Sequence, residues 1–110
     1  MGRFIKGDIV VLPFPFSNLS QAKRRPALVI TSLPDDDAIL CMITSQAARD
    51  SDAILLQPND FIAGGLNQTS YIRPNRLFTA EDTLIISLAG KLMPEKMKQV
   101  VEKLIDIISR

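Results

Sequence analysis

The sequence contains no histidine and no tryptophan, and its one cysteine is Cys41. These absences exclude an intrachain disulfide, a His/Cys zinc cage, a Ser–His–Asp triad and paired-histidine acid–base chemistry. No glycine-rich phosphate loop is present either. Apolar runs are short, Ala38–Ile43 being typical, and fall far below the ~20 residues of a membrane span. Met1–Lys6 runs straight into Gly7-Asp8, without an apolar stretch of signal-peptide length. A soluble cytoplasmic protein is expected, with Cys41 a small buried hydrophobe in a reducing compartment. Aromatic residues make up only 5%, so the core has to be built from Ile, Leu and Val.

What is present suffices for one packed domain over residues 1–110. The hydrophobic fraction is 46% and the charged fraction 23%. The net charge of +1 hides a segregation: +4 over residues 1–31, −5 over 32–69 and +2 over 70–110. A globally basic nucleic-acid binder is not indicated, but a local basic patch is compatible with this pattern. Lys23-Arg24-Arg25 is its densest candidate, either as a solvated turn or as a patch shared with Arg73 and Arg76.

Strand-length apolar runs recur at Ile9–Leu12, Ala27–Thr31, Ala38–Thr44, Ala53–Leu56, Tyr71-Ile72 and Thr83–Ala89. Each is bounded by Pro, Gly, Asp, Asn or Ser, which predicts a small mainly-β domain. Ile9-Val10-Val11-Leu12 and Leu28-Val29-Ile30 do not alternate with polar residues, so they need cover on both faces. A C-terminal helix or a second subunit has to supply part of that cover. Pro94 and Glu95 suit a helix start. Met97, Val101, Leu104 and Ile108 then form an apolar stripe, widened by Val100 and Ile107. Asp35-Asp36-Asp37 after Pro34 predicts a hairpin turn rather than a metal site, because three adjacent carboxylates cannot converge on one cation. The thirteen-residue connection from Pro13 to Arg25 is long enough to suggest a functional loop.

Four segments in order resemble the MazF/PemK/Kid family of toxin endoribonucleases. They are Lys6–Val11 with Arg25–Ile30, Cys41–Gln46, Ser70–Leu77, and Leu88–Leu92 leading into the helix. The resemblance covers nearly the whole chain. It implies a small SH3-like β-barrel of the CcdB/PemK type, mainly β with α, carrying a C-terminal helix and forming a homodimer. It further implies metal-independent cleavage of single-stranded RNA to a 2′,3′-cyclic phosphate and a 5′-hydroxyl, with no cofactor and with an antitoxin protein as inhibitor. The missing histidine is compatible with this, since the ribose 2′-OH is itself the nucleophile.

By the resemblance, Arg25 stabilises charge growing on the scissile phosphate, a task suited to a permanently charged planar fork. Its alternative is an ordinary salt bridge at a strand start. Thr44 is the matching hydroxyl at a strand end, able to donate a hydrogen bond to a phosphoryl oxygen. Ser20, Gln21, Lys23, Arg24, Ser45 and Gln46 are candidate phosphate or base contacts. Phe14 and Phe16 are either stacking platforms or buried under the loop. Arg73 matches a residue implicated in catalysis or RNA contact in the Kid branch, while Arg76 could pair with the acidic middle segment. Two acids of relatives are replaced, one by Ser20 and one by Asn75, and neither replacement accepts a proton at neutral pH. Two other readings are a CcdB-like gyrase inhibitor, whose expected aromatic C-terminus is lacking here, and an inactive barrel that only binds RNA or antitoxin.

Overall fold

A computed structural model describes residues 4–14, 23–46 and 49–110. In chain order the strands are β1 (Asp8–Phe14), β2 (Lys23–Ser32), β3 (Asp37–Thr44), β4 (Ile54–Leu56), β5 (Phe61–Gly64), β6 (Ser70–Glu81) and β7 (Ser87–Leu92), followed by α1 (Pro94–Ile108). They form one sheet in the order β4-β6-β3-β2-β1-β7-β5, with every neighbouring pair antiparallel. Strands β4 and β5 lie at opposite ends of that order, yet only residues 57–60 separate them in sequence. Five Cα steps reach at most about 19 Å, whereas the edges of a flat seven-stranded sheet would lie ~29 Å apart. The sheet must therefore curl, and it makes a partial barrel with α1 packed on it.

Curling is how the non-alternating strands obtain cover on both faces. Along β2, Leu28 and Ile30 enter one core with Ile9, Cys41, Ile43, Ile72 and Leu92, where Met97 and Val100 of α1 close the layer. Ala27 and Val29 point the other way, into a second core with Val10, Leu12, Phe14 and Leu40. There the late part of β6 folds over, and Phe78 meets Phe14 edge-on at 4.8 Å between ring centroids. Phe14 is thus buried, and Phe16 lies outside the described residues. Cys41 is fully buried, and that burial pushes its thiol pKa up to about 12, leaving it unreactive. Trimming Ile72, which is completely buried, to valine should cost about 1 kcal/mol. The check is a lower denaturant midpoint at unchanged slope.

The hairpin at Pro34–Asp36 forms as expected, with Asp35 and Asp36 at φ 64° and 62° and the Leu33 amide donating to the Asp37 carbonyl. Other boundaries differ for identifiable reasons. Strand β6 is twelve residues long, not two. Its register jumps between Cys41↔Leu77 and Met42↔Arg73, so Pro74, Asn75 and Arg76 form a bulge, a position where proline loses no ladder bond. The ends of the long β1–β2 connection also prove to be strand, because Phe14 pairs with Lys23 and Pro13 with Arg24. Of β1, only Asp8–Val11 pair with β7, so Pro13 has no ladder partner on that side. The expected strand Thr83–Ala89 begins instead at Ser87, after a 3-10 turn over Asp82–Leu84. Strand β5 is short and mostly exposed, and Gly64 there has φ +68° with β7 so near that a Cβ would run into the Ala89 carbonyl. On α1 the stripe is buried at its start, while Ile108 at its end stays 71% exposed. No described helix is long and apolar enough to cross a membrane.

Candidate functional site

The β2–β3 ladder ends at the pair Ala27–Met42, and Arg25 on β2 and Thr44 on β3 each lie two residues beyond it, on the same face as that pair. On the other side of β3, Thr44 pairs with Tyr71 and Met42 with Arg73. Opposed residues of an antiparallel ladder share a face. Arg25, Thr44 and Arg73 therefore stand on one face of three adjacent strands, with Arg73 one row inward from the other two.

Arg25 and Thr44 also line one open cleft of about 240 Å³ at the strand ends. Arg24, Pro26, Ile43 and Ser45 complete one wall, and Leu66, Asn67, Gln68 and Ser70 make the other. Ser70 is buried, and its hydroxyl donates to the Gln68 carbonyl at 3.0 Å, folding that loop back onto β6. Thr44 closes β3 with a local turn in which its Oγ1 accepts from the Gln46 amide at 3.1 Å and donates to the Gln46 carbonyl at 3.2 Å. The hydroxyl is thus held in a defined position, and Thr44 as a whole is half-exposed.

Lys23, Arg24 and Arg25 are exposed, and none forms a side-chain hydrogen bond or ion pair with a described residue. Among the described residues, Arg25 has no salt bridge of the kind named above as its alternative role. Three of the six acids of the middle segment are paired elsewhere: Asp50 with Arg73 at 2.7 Å, Asp52 with Arg110 at 2.7 Å and Asp60 with Lys96 at 3.5 Å. Among the described residues no acidic side chain pairs with Arg24 or Arg25 of the cleft, an arrangement that favours an anionic ligand such as a phosphodiester. Arg76 is exposed and forms no ion pair among the described residues.

Not every sequence candidate meets at the cleft. Lys23, Gln46, Arg73 and Asn75 are not part of its lining, and Ser20 and Gln21 lie outside the described residues. Asp50 was not singled out from the sequence, yet it accepts from Arg73 Nε at 2.7 Å, from Asn75 Nδ2 at 3.1 Å and from the Asp52 amide at 3.0 Å. Burial works to raise the Asp50 pKa. The hydrogen bonds from Arg73, the Asp52 amide and Asn75, with the Arg73 charge, outweigh it and hold the carboxyl below its ordinary value. A depressed folded-state pKa contributes stability above the unfolded value near 4 and loses it as pH falls through the folded value. The melting-temperature gap between wild type and Asp50→Asn should accordingly be open at pH 6 and close in acid below about pH 4. Of the cleft's second wall, Asn67, Gln68 and Ser70 were also missed; the only local signal was an uncharged polar run preceding β6. Among the described residues, no group of three or more Asp, Glu or Cys side chains is placed to hold a metal.

Comparison with known proteins follows the same outline. No curated protein matches the sequence. Among solved structures, an endoribonuclease from mycobacterial species, in complex with its cognate antitoxin, superposes with a TM-score of 0.75 at 13% identity, over 99% of this chain and 96% of that one. The MazE–MazF complex of Deinococcus radiodurans gives 0.77 at 17% identity, over 96% of each chain. MazF alone from the same organism gives 0.73 at 19% identity, over 97% of each. At such identities these likenesses establish the fold. The profile of one family, described as the PemK-like, MazF-like toxin of type II toxin–antitoxin systems, matches residues 5–108. The chain belongs to that family.

Proposed function

We propose that the protein is an endoribonuclease toxin that cuts single-stranded RNA without a metal ion and is neutralised by a cognate antitoxin. The observation that carries this reading is the shared cleft of Arg25 and Thr44, where an arginine without an ion-pair partner among the described residues lines the same opening as a threonine hydroxyl held in a local turn. Family membership and the antitoxin complexes of similar structures support it. In the proposed reaction the ribose 2′-oxygen attacks the adjacent phosphorus and gives its proton to solvent. The bond from phosphorus to the 5′-oxygen breaks, and that oxygen takes up a proton. A 2′,3′-cyclic phosphate and a 5′-hydroxyl result. Arg25 neutralises charge building on the phosphoryl oxygens, while Thr44 donates to one of them by turning its hydroxyl away from the Gln46 carbonyl. Arg24 and Ser45 in the cleft, with Lys23 and Gln46 next to them in sequence but outside its lining, supply contacts to neighbouring phosphates and bases. The working form is a cytoplasmic homodimer.

The test is a long transcript incubated with purified protein in chelator and mapped by primer extension. Discrete stops, repeated at one short sequence, are expected. Uncut transcript with folded protein at high concentration would overturn the reading.

A further inference from the structure

We infer that Asp50 is a positioning residue, holding Arg73 so that its outer nitrogens bind a second RNA phosphate one ladder row from the Arg25–Thr44 pair. The inference rests on the proposed ribonuclease reading and extends it to a part of the face outside the cleft.

Arg73 is fastened by one edge only. Its Nε donates to Asp50 Oδ2, and its Nη groups make no hydrogen bond to a described residue. A guanidinium carries five N–H donors in a rigid plane, so anchoring Nε fixes the direction of the remaining fork. Asp50 is itself immobilised, because its Oδ1 accepts from both Asn75 Nδ2 and the Asp52 amide. The carboxylate side chain is 9% exposed and the arginine side chain 22%, which describes a held arginine with one face open. The bulge at Pro74–Arg76 matters here, since it brings Asn75 beside Arg73 on the same carboxylate. Asp52, two residues on, is tied by Arg110 at 2.7 Å and 3.3 Å, so the support has a second anchor.

A carboxylate with this many donors is a poor proton acceptor. Asp50 therefore does not stand in for the acids replaced by Ser20 and Asn75; its work is geometric. Arg73 pairs with Met42 and Thr44 with Tyr71, which makes Arg73 and Thr44 diagonal neighbours about 7–8 Å apart. RNA lying over Thr44 passes the open edge of Arg73 with its next phosphates.

The sign of one substitution separates this role from simple charge. Long-range electrostatics alone predicts that Asp50→Asn, by removing a negative charge, tightens RNA binding. Loss of positioning predicts the opposite. The experiment titrates wild type, Asp50→Asn, Arg73→Ala and the double variant with a fluorescent, uncleavable pool of short 2′-O-methyl RNA, at several salt concentrations. Thermal melts run alongside to confirm folding. Each single variant should bind about tenfold more weakly, the scale of one charge-assisted hydrogen bond. The double variant should bind no worse than Arg73→Ala. Arg73→Ala should also flatten the salt slope. Unchanged or tighter binding by Asp50→Asn overturns the inference, as does an equal loss when Arg73 is already alanine. Absence of RNA binding by wild type at every salt concentration overturns the ribonuclease reading and this inference with it.

Discussion

Arg25→Ala should lower RNA cleavage by about three orders of magnitude, at the upper end of what losing one charge-stabilising donor costs. The loss should appear mainly in kcat, because the group is aimed at charge that grows during the reaction rather than at the resting substrate. Arg25 is exposed and unpaired among the described residues, so its removal should leave the melting temperature close to wild type. Arg25→Lys is the sharper control. Lysine keeps the charge but lacks the planar fork, and it should restore binding far better than turnover. Full restoration of turnover by lysine would reduce the role of Arg25 to general attraction of RNA.

The second large effect is expected at Thr44. Thr44→Val keeps the shape and the strand preference but removes the donor, and cleavage should fall about 10²-fold. The same change breaks the local turn that engages the Gln46 amide and carbonyl. Thr44→Ser separates the two consequences of the hydroxyl from those of the methyl. It retains the donor and the turn, and activity within a few-fold of wild type is expected. Single-turnover kinetics on a mapped cleavage site would check both variants. Activity kept in the valine variant and lost in the serine variant would point to packing by the methyl group instead.

Much of this organisation was legible in the sequence because it rests on local patterns. The unbroken apolar runs of β1 and β2 demanded two buried faces, and the curled sheet provides them. Pro34 with three aspartates specified a tight turn, and Pro94 with the stripe that follows specified α1. What could not be read depends on partners distant in sequence. Only Tyr71-Ile72 of β6 reads as strand, because nothing local reveals that Arg73 and Leu77 pair with adjacent residues of β3, leaving Pro74 in a bulge. Asp50 looked like one acid among several, and its importance arises only when β6 carries Arg73 and Asn75 alongside it. The meeting of Arg25 and Thr44 in one cleft lay between these cases. Each residue was recognisable by family resemblance, but their meeting depends on the β2–β3 register.

The most direct test is an RNA carrying a single 2′-deoxy nucleotide on the 5′ side of the mapped cleavage point, compared in chelator with the all-ribose strand. The account predicts that the ribose strand is cut to a cyclic phosphate and a 5′-hydroxyl, and that the deoxy strand stays intact at that position. Cleavage of the deoxy strand at a similar rate, or a product bearing a 5′-phosphate, would contradict it.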